Sequence, residues 1–451
     1  MTEPLQPLAP LAAGTRALVL GLGRTGLSAA RYLDRKGLTV RVADTRVNPP
    51  GADALRANVP AAELRTGAFS SSLFENVAQV VISPGLSLQE PVVCAARERG
   101  FPVVGDIELF AREAPAPIAA ITGTNGKSTV TTLVAEIANA GGRRAVAGGN
   151  LGEPALDLLE RPTPDLYVLE LSSFQLETTY SLRTVASTVL NVTPDHMDRY
   201  ASLEAYGAAK ARIFDGCDVA VINADDPAVR GMPRPGQSVV SFSLESRAAD
   251  YTLERTPAPM IVRRGEPLLP LAALRLQGLH NAANAMAALA LAEALELPLA
   301  PALDALCAFT GLPHRSQWVA DVRGVRYVND SKGTNVGATL AAVRGLAGPL
   351  VVIAGGDGKN QDFSELRPAF RGKVRHVVLI GRDAPALAAT LAGVCATERA
   401  SDMPAAVRAA QAVAQPGDTV LLSPACASLD MFRDYTHRGD EFAAAVRSLA
   451  A

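Results

Sequence analysis

Residues 122–129 read TGTNGKST, a lysine-bearing glycine loop that follows the short apolar run PIAA and precedes the helical pattern TTLVAEIANA. In that context backbone N–H groups converge on phosphate oxygens, the lysine reaches the outer phosphates and a hydroxyl holds Mg²⁺. The strict spacing GxxxxGK[ST] is broken, because Ile121 stands where the first glycine belongs. Gly123 and Gly126 still allow a tight turn, so a phosphate site is expected at Gly123, Thr124, Asn125, Gly126, Lys127, Ser128 and Thr129. Mg²⁺ needs hard oxygen ligands. Glu170 closes the apolar strand pattern of LYVLE, where a carboxylate is costly unless it is paired or bound to metal. NVTPDHMDRY, residues 191–200, places Asp195, His196 and Asp198 after another strand pattern. Lys210 lies in the helical run YGAAKARIF with Tyr206 and Phe214 four residues to either side, and taken alone it reads as an exposed helix lysine.

Further charged segments follow strands later in the chain. VNDSKGTN (328–335) and VIAGGDGKNQDF (352–363) join a charge to glycine flexibility, which suits a ligand closed upon by a mobile domain. LLSPACASLDMFRDYTHRGDEF (421–442) is expected to be a strand running into a serine-rich helix start, whose free N–H groups would receive a carboxylate. Only six of the 43 basic residues are lysines, and four of them (Lys127, Lys210, Lys332 and Lys359) fall inside these motifs. Arginine supplies a planar fork, whereas lysine supplies a compact charge or, when neutral, a nucleophilic amine.

The elements that must position these groups read as α/β throughout. Residues 16–45 follow the order strand, glycine turn, helix, strand, with Gly21, Gly23 and Gly26 forming GxGxxG and Asp44 ending the next strand. A dinucleotide such as NAD, another nucleotide-like ligand and purely structural glycines all remain open for that turn. VVISPGLS (80–87) is a strand ending in a turn, and the Pro/Ala stretch at 114–117 is a plausible linker. Strands are expected near 165–171, 184–192 and 218–224, a small antiparallel patch over 237–278, an alanine-rich helix over 281–297, and four more strands beyond residue 311 in a parallel sheet. The expected division is 1–107, a Rossmann-like domain; 108–311, a P-loop ATPase-like α/β domain with the antiparallel patch; and 312–451, a second Rossmann-like α/β domain. A net charge of -2 offers no general nucleic-acid surface. Five scattered cysteines without a CxxC argue against disulfide frameworks and thiolate zinc sites. The start has no charged leader and the chain has no 18-residue apolar run, so a cytoplasmic protein without membrane insertion is expected.

Together, GGNLG, LELSSFQLE, NVTPDHMDRY, GLPHR, NDSKGTN, GGDGK and SPACASLDMF with RGDEF resemble the ATP-dependent peptide ligases that assemble the stem peptide of bacterial cell-wall precursors, and within them the D-glutamate-adding kind. TGTNGKST alone marks only the superfamily, so a folylpolyglutamate synthase or a diamino-acid-adding ligase is the alternative. The resemblance implies ATP, two Mg²⁺ sites and two small-molecule substrates, UDP-N-acetylmuramoyl-L-alanine and D-glutamate, on a monomer. It implies Lys127, Glu170, His196 and Lys210 as the catalytic group. ATP would be contacted by the phosphate loop and by Asn281, Asn284, Arg315, Asp330 and Lys332. Ser128 and Glu170 would hold one Mg²⁺, and His196 with a carbamylated Lys210 the other. The precursor would meet Arg24, Thr25, Asp44, Thr45, Arg46, Ser83, Gly85, Asn150 and His196; D-glutamate would meet Thr334, Lys359, Ser428 and Tyr435. Tyr435 departs from the family pattern, which has phenylalanine there.

Overall fold

The computed structural model describes residues 12–276, 278–346 and 348–450; residues 1–11, read above for a leader, lie outside it. Apolar runs such as RALVL, IAAIT and LVVIAG form strands buried on both faces, as parallel sheets require. Among the described residues they assemble into three sheets. The first is all parallel, in the order Glu63–Thr66, Thr39–Asp44, Arg16–Leu20, Val77–Ile82, Val103–Val104. Its GxGxxG turn leads into the helix Arg24–Arg35. Gly26 has no alternative residue type, since a Cβ there would lie 1.9 Å from the Gly21 carbonyl oxygen.

In the central sheet the strand Ile118–Thr122 lies between Leu166–Glu170 and Thr184–Val189, all parallel. Ile121 pairs with Glu170 and Gly149 pairs with it from the other side, so the phosphate loop, Glu170 and Asn150 emerge side by side at the carboxyl edge. The helix Lys127–Ala140 rises from the loop and packs against the helix Leu279–Ala294, whose buried alanines allow close approach. The patch expected over 237–278 is not separate. Ser238–Ser243 joins Cys217–Asn223 in parallel, and only Tyr251–Glu254, Met260–Arg263 and Glu266–Pro270 pair antiparallel, extending the same sheet.

The third sheet runs Gln317–Val322, Val325–Asn329, Thr419–Leu422, Leu350–Gly355, Val374–Ile380, Ala396–Arg399. It corrects the parallel expectation at one edge, where Gln317–Val322 forms an antiparallel hairpin with Val325–Asn329. A second correction concerns the serine-rich segment: after Thr419–Leu422 no helix starts until Tyr435. Residues 423–434 stay irregular because Ala427 and Asp357 exchange backbone hydrogen bonds, Ala425 takes a left-handed φ of 58°, and the Cys426 carbonyl accepts from the buried Arg438 guanidinium. No free helix N-terminus is therefore available at the serines.

The first and central domains share an apolar cluster and a set of polar ties. Ser28 Oγ donates to Asp157 at 2.5 Å, Arg31 to Glu160 at 2.6 Å, and Glu108 accepts from the backbone N–H groups of Tyr180 and Ser181. The helix Asp106–Ala111 runs through residue 107, so the expected boundary falls inside an element that belongs to the seam. Asp106 is fully buried there. Its Oδ2 accepts from Gln175 Nε2 at 3.0 Å, while Oδ1 has no hydrogen-bond partner. Burial raises its pKa to about 6, and the hydrogen bond offsets only part of that. A raised folded-state pKa favours folding below the unfolded value near 3.8 and loses that contribution as pH rises through about 6. Asp106→Asn is therefore expected to stabilise the fold by about 3 kcal/mol above pH 7, with the gain shrinking toward pH 4. Denaturant melts at pH 5 and pH 7.5 check this; a gain that is equal at both pH values contradicts it.

Candidate active site

The phosphate loop is built from both ends. Gly123 and Gly126 take φ values of 149° and 86°, and a Cβ on Gly126 would meet Asn284 Oδ1 at 2.5 Å. These conformations favour glycine, which is why the loop works with Ile121 in the preceding strand. Asn191 braces it, accepting from the Asn125 N–H at 2.8 Å and donating to the Asn125 carbonyl at 3.0 Å. Lys127 Nζ donates to the carbonyls of Gly123 and Thr124 at 2.9 and 2.8 Å. Burial lowers its pKa; Glu170 and Asp195 oppose that, while Arg315 and Lys359 reinforce it.

A cavity of about 290 Å³ opens beside the loop. From the central domain it is lined by Lys127, Asn150, Glu170, Asp195, His196 and Lys210; from the third domain come Arg315, Lys332, Thr334, Asn335 and Lys359. Glu170 is 2 % exposed, with Oε1 accepting from Asn150 Nδ2 at 2.6 Å and Oε2 without a partner. Burial raises its pKa, yet Lys127, nearby Ser128, the hydrogen bond from Asn150, and Arg315 bring it below the ordinary value, so it is a carboxylate with an unpartnered oxygen.

Lys210 is not the exposed helix lysine that its local sequence predicts. It is 1 % exposed, on the helix Leu203–Ala211, with Nζ donating to the Gly123 carbonyl at 2.9 Å and lying 4.3 Å from the Tyr206 ring centroid. Burial first and Lys127 second push its pKa well below the usual lysine value, which favours the neutral amine. His196 takes a left-handed φ of 59°, packs edge-on against Phe174 at 4.8 Å, and has its pKa lowered to about 4 by burial. Asp195 opposes that shift, and Lys359, Lys127 and Lys210 add to it.

The third domain meets this edge through polar contacts. Arg315 donates to Ser128 Oγ at 2.6 Å, Asn335 Nδ2 donates to Asp195 at 3.1 Å, and Lys359 Nζ lies 3.4 Å from Asp195. Asn335 also accepts from the Ala338 N–H, capping the helix Val336–Gly345. A seam made of hydrogen bonds and an ion pair, rather than of a large apolar face, is of the kind that permits relative domain motion. A second cavity of about 260 Å³ adjoins the first, lined by Thr129, Asn281, Asn284, Arg315, Asp330 and Lys332 among others. Asp330 accepts from the Ser316 N–H and Ser423 Oγ, and burial raises its pKa to about 6.

The remaining sequence candidates lie elsewhere. Arg24, at the glycine turn with Thr25, donates to the Gly152 carbonyl of the central domain at 2.8 Å. Asp44 accepts from the Leu22 N–H and pairs with Arg46 at 2.6 Å, next to Thr45. Ser83 and Gly85 sit in the turn after Val77–Ile82. Ser428 is buried and lies outside the lining of both cavities, as does Tyr435, whose ring centroid is 3.9 Å from Lys332 Nζ. Sequence reasoning passed over Asn191, Arg199 and Asn335, although each stands within a quoted motif; only the partner contact reveals what each does.

Fold and site together define a three-domain ligase with a phosphate loop at the seam of its second and third domains. Family models match along the chain: the Mur ligase MurD-like N-terminal domain over residues 15–105, the Mur ligase middle domain over 121–292 and the Mur ligase glutamate ligase domain over 314–426. The UDP-N-acetylmuramoylalanine–D-glutamate ligase of Nitrosococcus oceani is 54% identical over 453 residues, covering 100% of this chain and 99% of that protein. Its counterpart in Methylobacillus flagellatus is 53% identical, covering 96% and 97%. Solved structures share the fold at low identity. They include the UDP-N-acetylmuramate–alanine ligase MurC of Thermotoga maritima (TM-score 0.60, 20% identity, 96% of this chain and 99% of that one) and the Thermotoga maritima MurF ligase in complex with ADP (TM-score 0.61, 14% identity, 96% and 98%). The chain belongs to the Mur ligase family and, within it, to the UDP-N-acetylmuramoylalanine–D-glutamate ligases. No helix among the described residues is long and apolar enough to cross a membrane.

Proposed function

We propose that this chain joins D-glutamate to the L-alanine carboxylate of UDP-N-acetylmuramoyl-L-alanine, converting ATP to ADP and phosphate through an acyl phosphate. The observation that carries the residue roles is the meeting of Lys127, Glu170, His196 and Lys210 with Thr334 and Lys359 on one cavity. A carboxylate is a poor electrophile, so phosphorylation must precede attack by the amine. In our reading Lys127 and Arg315 neutralise charge on the transferring phosphoryl group, and the Gly123–Gly126 backbone cradles the phosphates. Asn281, Asn284, Asp330 and Lys332 hold the rest of ATP in the adjoining cavity. Asn150 and His196 face the alanyl end of the precursor; Thr334 and Lys359 receive D-glutamate, and the family resemblance assigns Ser428 and Tyr435 to the same substrate.

Among the described residues no group of three or more His, Cys, Asp or Glu side chains is arranged to hold a metal. The donors present nevertheless fit Mg²⁺ in a site completed by phosphate oxygens, as is usual for that ion. Glu170 Oε2 is buried and unpartnered, Ser128 stands at the loop, and Lys210 is favoured in the neutral form that takes up CO₂ to become an oxygen donor beside His196. Bound Mg²⁺ would supply charge neutralisation at the phosphoryl oxygens. The division of roles is tested by phosphate release from ATP with UDP-N-acetylmuramoyl-L-alanine and each glutamate enantiomer. Release is expected with D-glutamate alone; release that needs L-glutamate and a folate, or a diamino acid, contradicts it.

A further inference from the structure

Arg199, three residues beyond His196, is 15% exposed at its side chain and makes contacts in two domains. Its Nη1 donates to the Pro84 carbonyl at 2.9 Å and its Nη2 to the Leu86 carbonyl at 2.5 Å, both in the turn after Val77–Ile82 of the first sheet. That turn is tight, with the Leu86 N–H donating back to the Ser83 carbonyl at 3.0 Å. The guanidinium also lies 3.9 Å from the centroid of Phe174, and Glu177 stands 3.9 Å away. Phe174 in turn packs edge-on against His196. One side chain thus joins the loop bearing Ser83 and Gly85 to the aromatic wall that holds His196.

We infer that Arg199 is a positioning residue that sets the register between the nucleotide end and the reacting end of the precursor. The inference rests on the reading that Ser83 and Gly85 contact the UDP end and that the cavity beside His196 receives the alanyl carboxylate. The precursor spans two domains and has a fixed reach. A shift of the 83–86 turn relative to His196 therefore moves its carboxylate away from the γ-phosphorus, and a misplacement of about 1 Å can cost about a hundredfold in rate. A planar fork is what two carbonyls and an aromatic face need at once, and lysine can satisfy only part of that set.

The test compares two acceptors, UDP-N-acetylmuramoyl-L-alanine and N-acetylmuramoyl-L-alanine without the nucleotide, in wild type, Arg199→Met and Arg199→Lys. Arg199→Met is expected to lower kcat/KM for the full precursor by about ten- to a hundredfold. It should leave kcat/KM for the truncated acceptor, and KM for ATP and D-glutamate, within about twofold, since the register acts only through the nucleotide end. Arg199→Lys should recover part of the loss. An equal loss on both acceptors would reduce Arg199 to a structural role and overturn the inference, as would no loss on either. A wild-type enzyme that uses both acceptors equally would overturn the precursor-site reading itself, and the inference with it.

Discussion

Lys127→Ala is expected to lower the rate of ADP formation at saturating substrates by about a thousandfold, the scale of removing one preorganised charge from a transferring group. The same substitution should leave the thermal midpoint unchanged or raise it. Lys127 is half-buried, and desolvation together with Arg315 and Lys359 disfavours its charged form while Glu170 and Asp195 oppose that. Its Nζ is held by two loop carbonyls rather than by an ion pair, so the lysine charge has no direct carboxylate partner before ATP binds. That arrangement costs stability in the free enzyme and awaits an anionic ligand. A variant that loses activity only because it unfolds would show a lowered midpoint, and single-turnover ADP formation measured beside a thermal melt separates the two outcomes.

Lys210→Arg is expected to lower kcat by about a hundredfold or more, although it keeps the positive charge. The side chain is 1 % exposed, packed among Gly123, Tyr206 and Lys127 at the cavity wall, with no carboxylate in ion-pair contact among the described residues. In our reading a neutral amine there would add CO₂, forming an N–C bond and releasing a proton, and would so place two oxygens beside His196 where a bare ammonium would repel metal. Arginine cannot make that carbamate. Wild-type protein equilibrated with ¹³C-labelled bicarbonate should give one carbamate resonance that Lys210→Arg lacks. A fully active Lys210→Arg enzyme, or a spectrum without the resonance, contradicts the assignment.

Much of this site was legible because its residues follow the ends of apolar strands, where a parallel sheet gathers them whatever their distance along the chain. Lys127, Glu170, His196 and Lys359 stand in segments read in that way, Thr334 was added by the family resemblance, and all line one cavity. Pairings that depend on the third dimension were not legible. Asn335 meets Asp195 across 140 residues and Arg199 meets Pro84 across 115, and no local pattern encodes either distance. The serine-rich segment misled because SPACAS resembles a helix start in composition, while the backbone pairing of Ala427 with Asp357 holds it open. The hairpin of Gln317–Val322 was missed because the strand lies at a sheet edge, with mostly exposed or half-buried residues, and lacks the continuous apolar run of its neighbours. Lys210 shows the limit of local reading most clearly. Its helix gives a weak amphipathic signal, and only the neighbouring phosphate loop explains its burial.

The central claim is that the precursor's carboxylate attacks the γ-phosphorus of ATP before the amine arrives. It is tested most directly by ligation with UDP-N-acetylmuramoyl-L-alanine carrying ¹⁸O in both oxygens of the alanyl carboxylate. Our reading predicts one ¹⁸O in each inorganic phosphate released and one retained in the new peptide carbonyl, with none in ADP. Unlabelled phosphate, or label appearing in AMP, would contradict it.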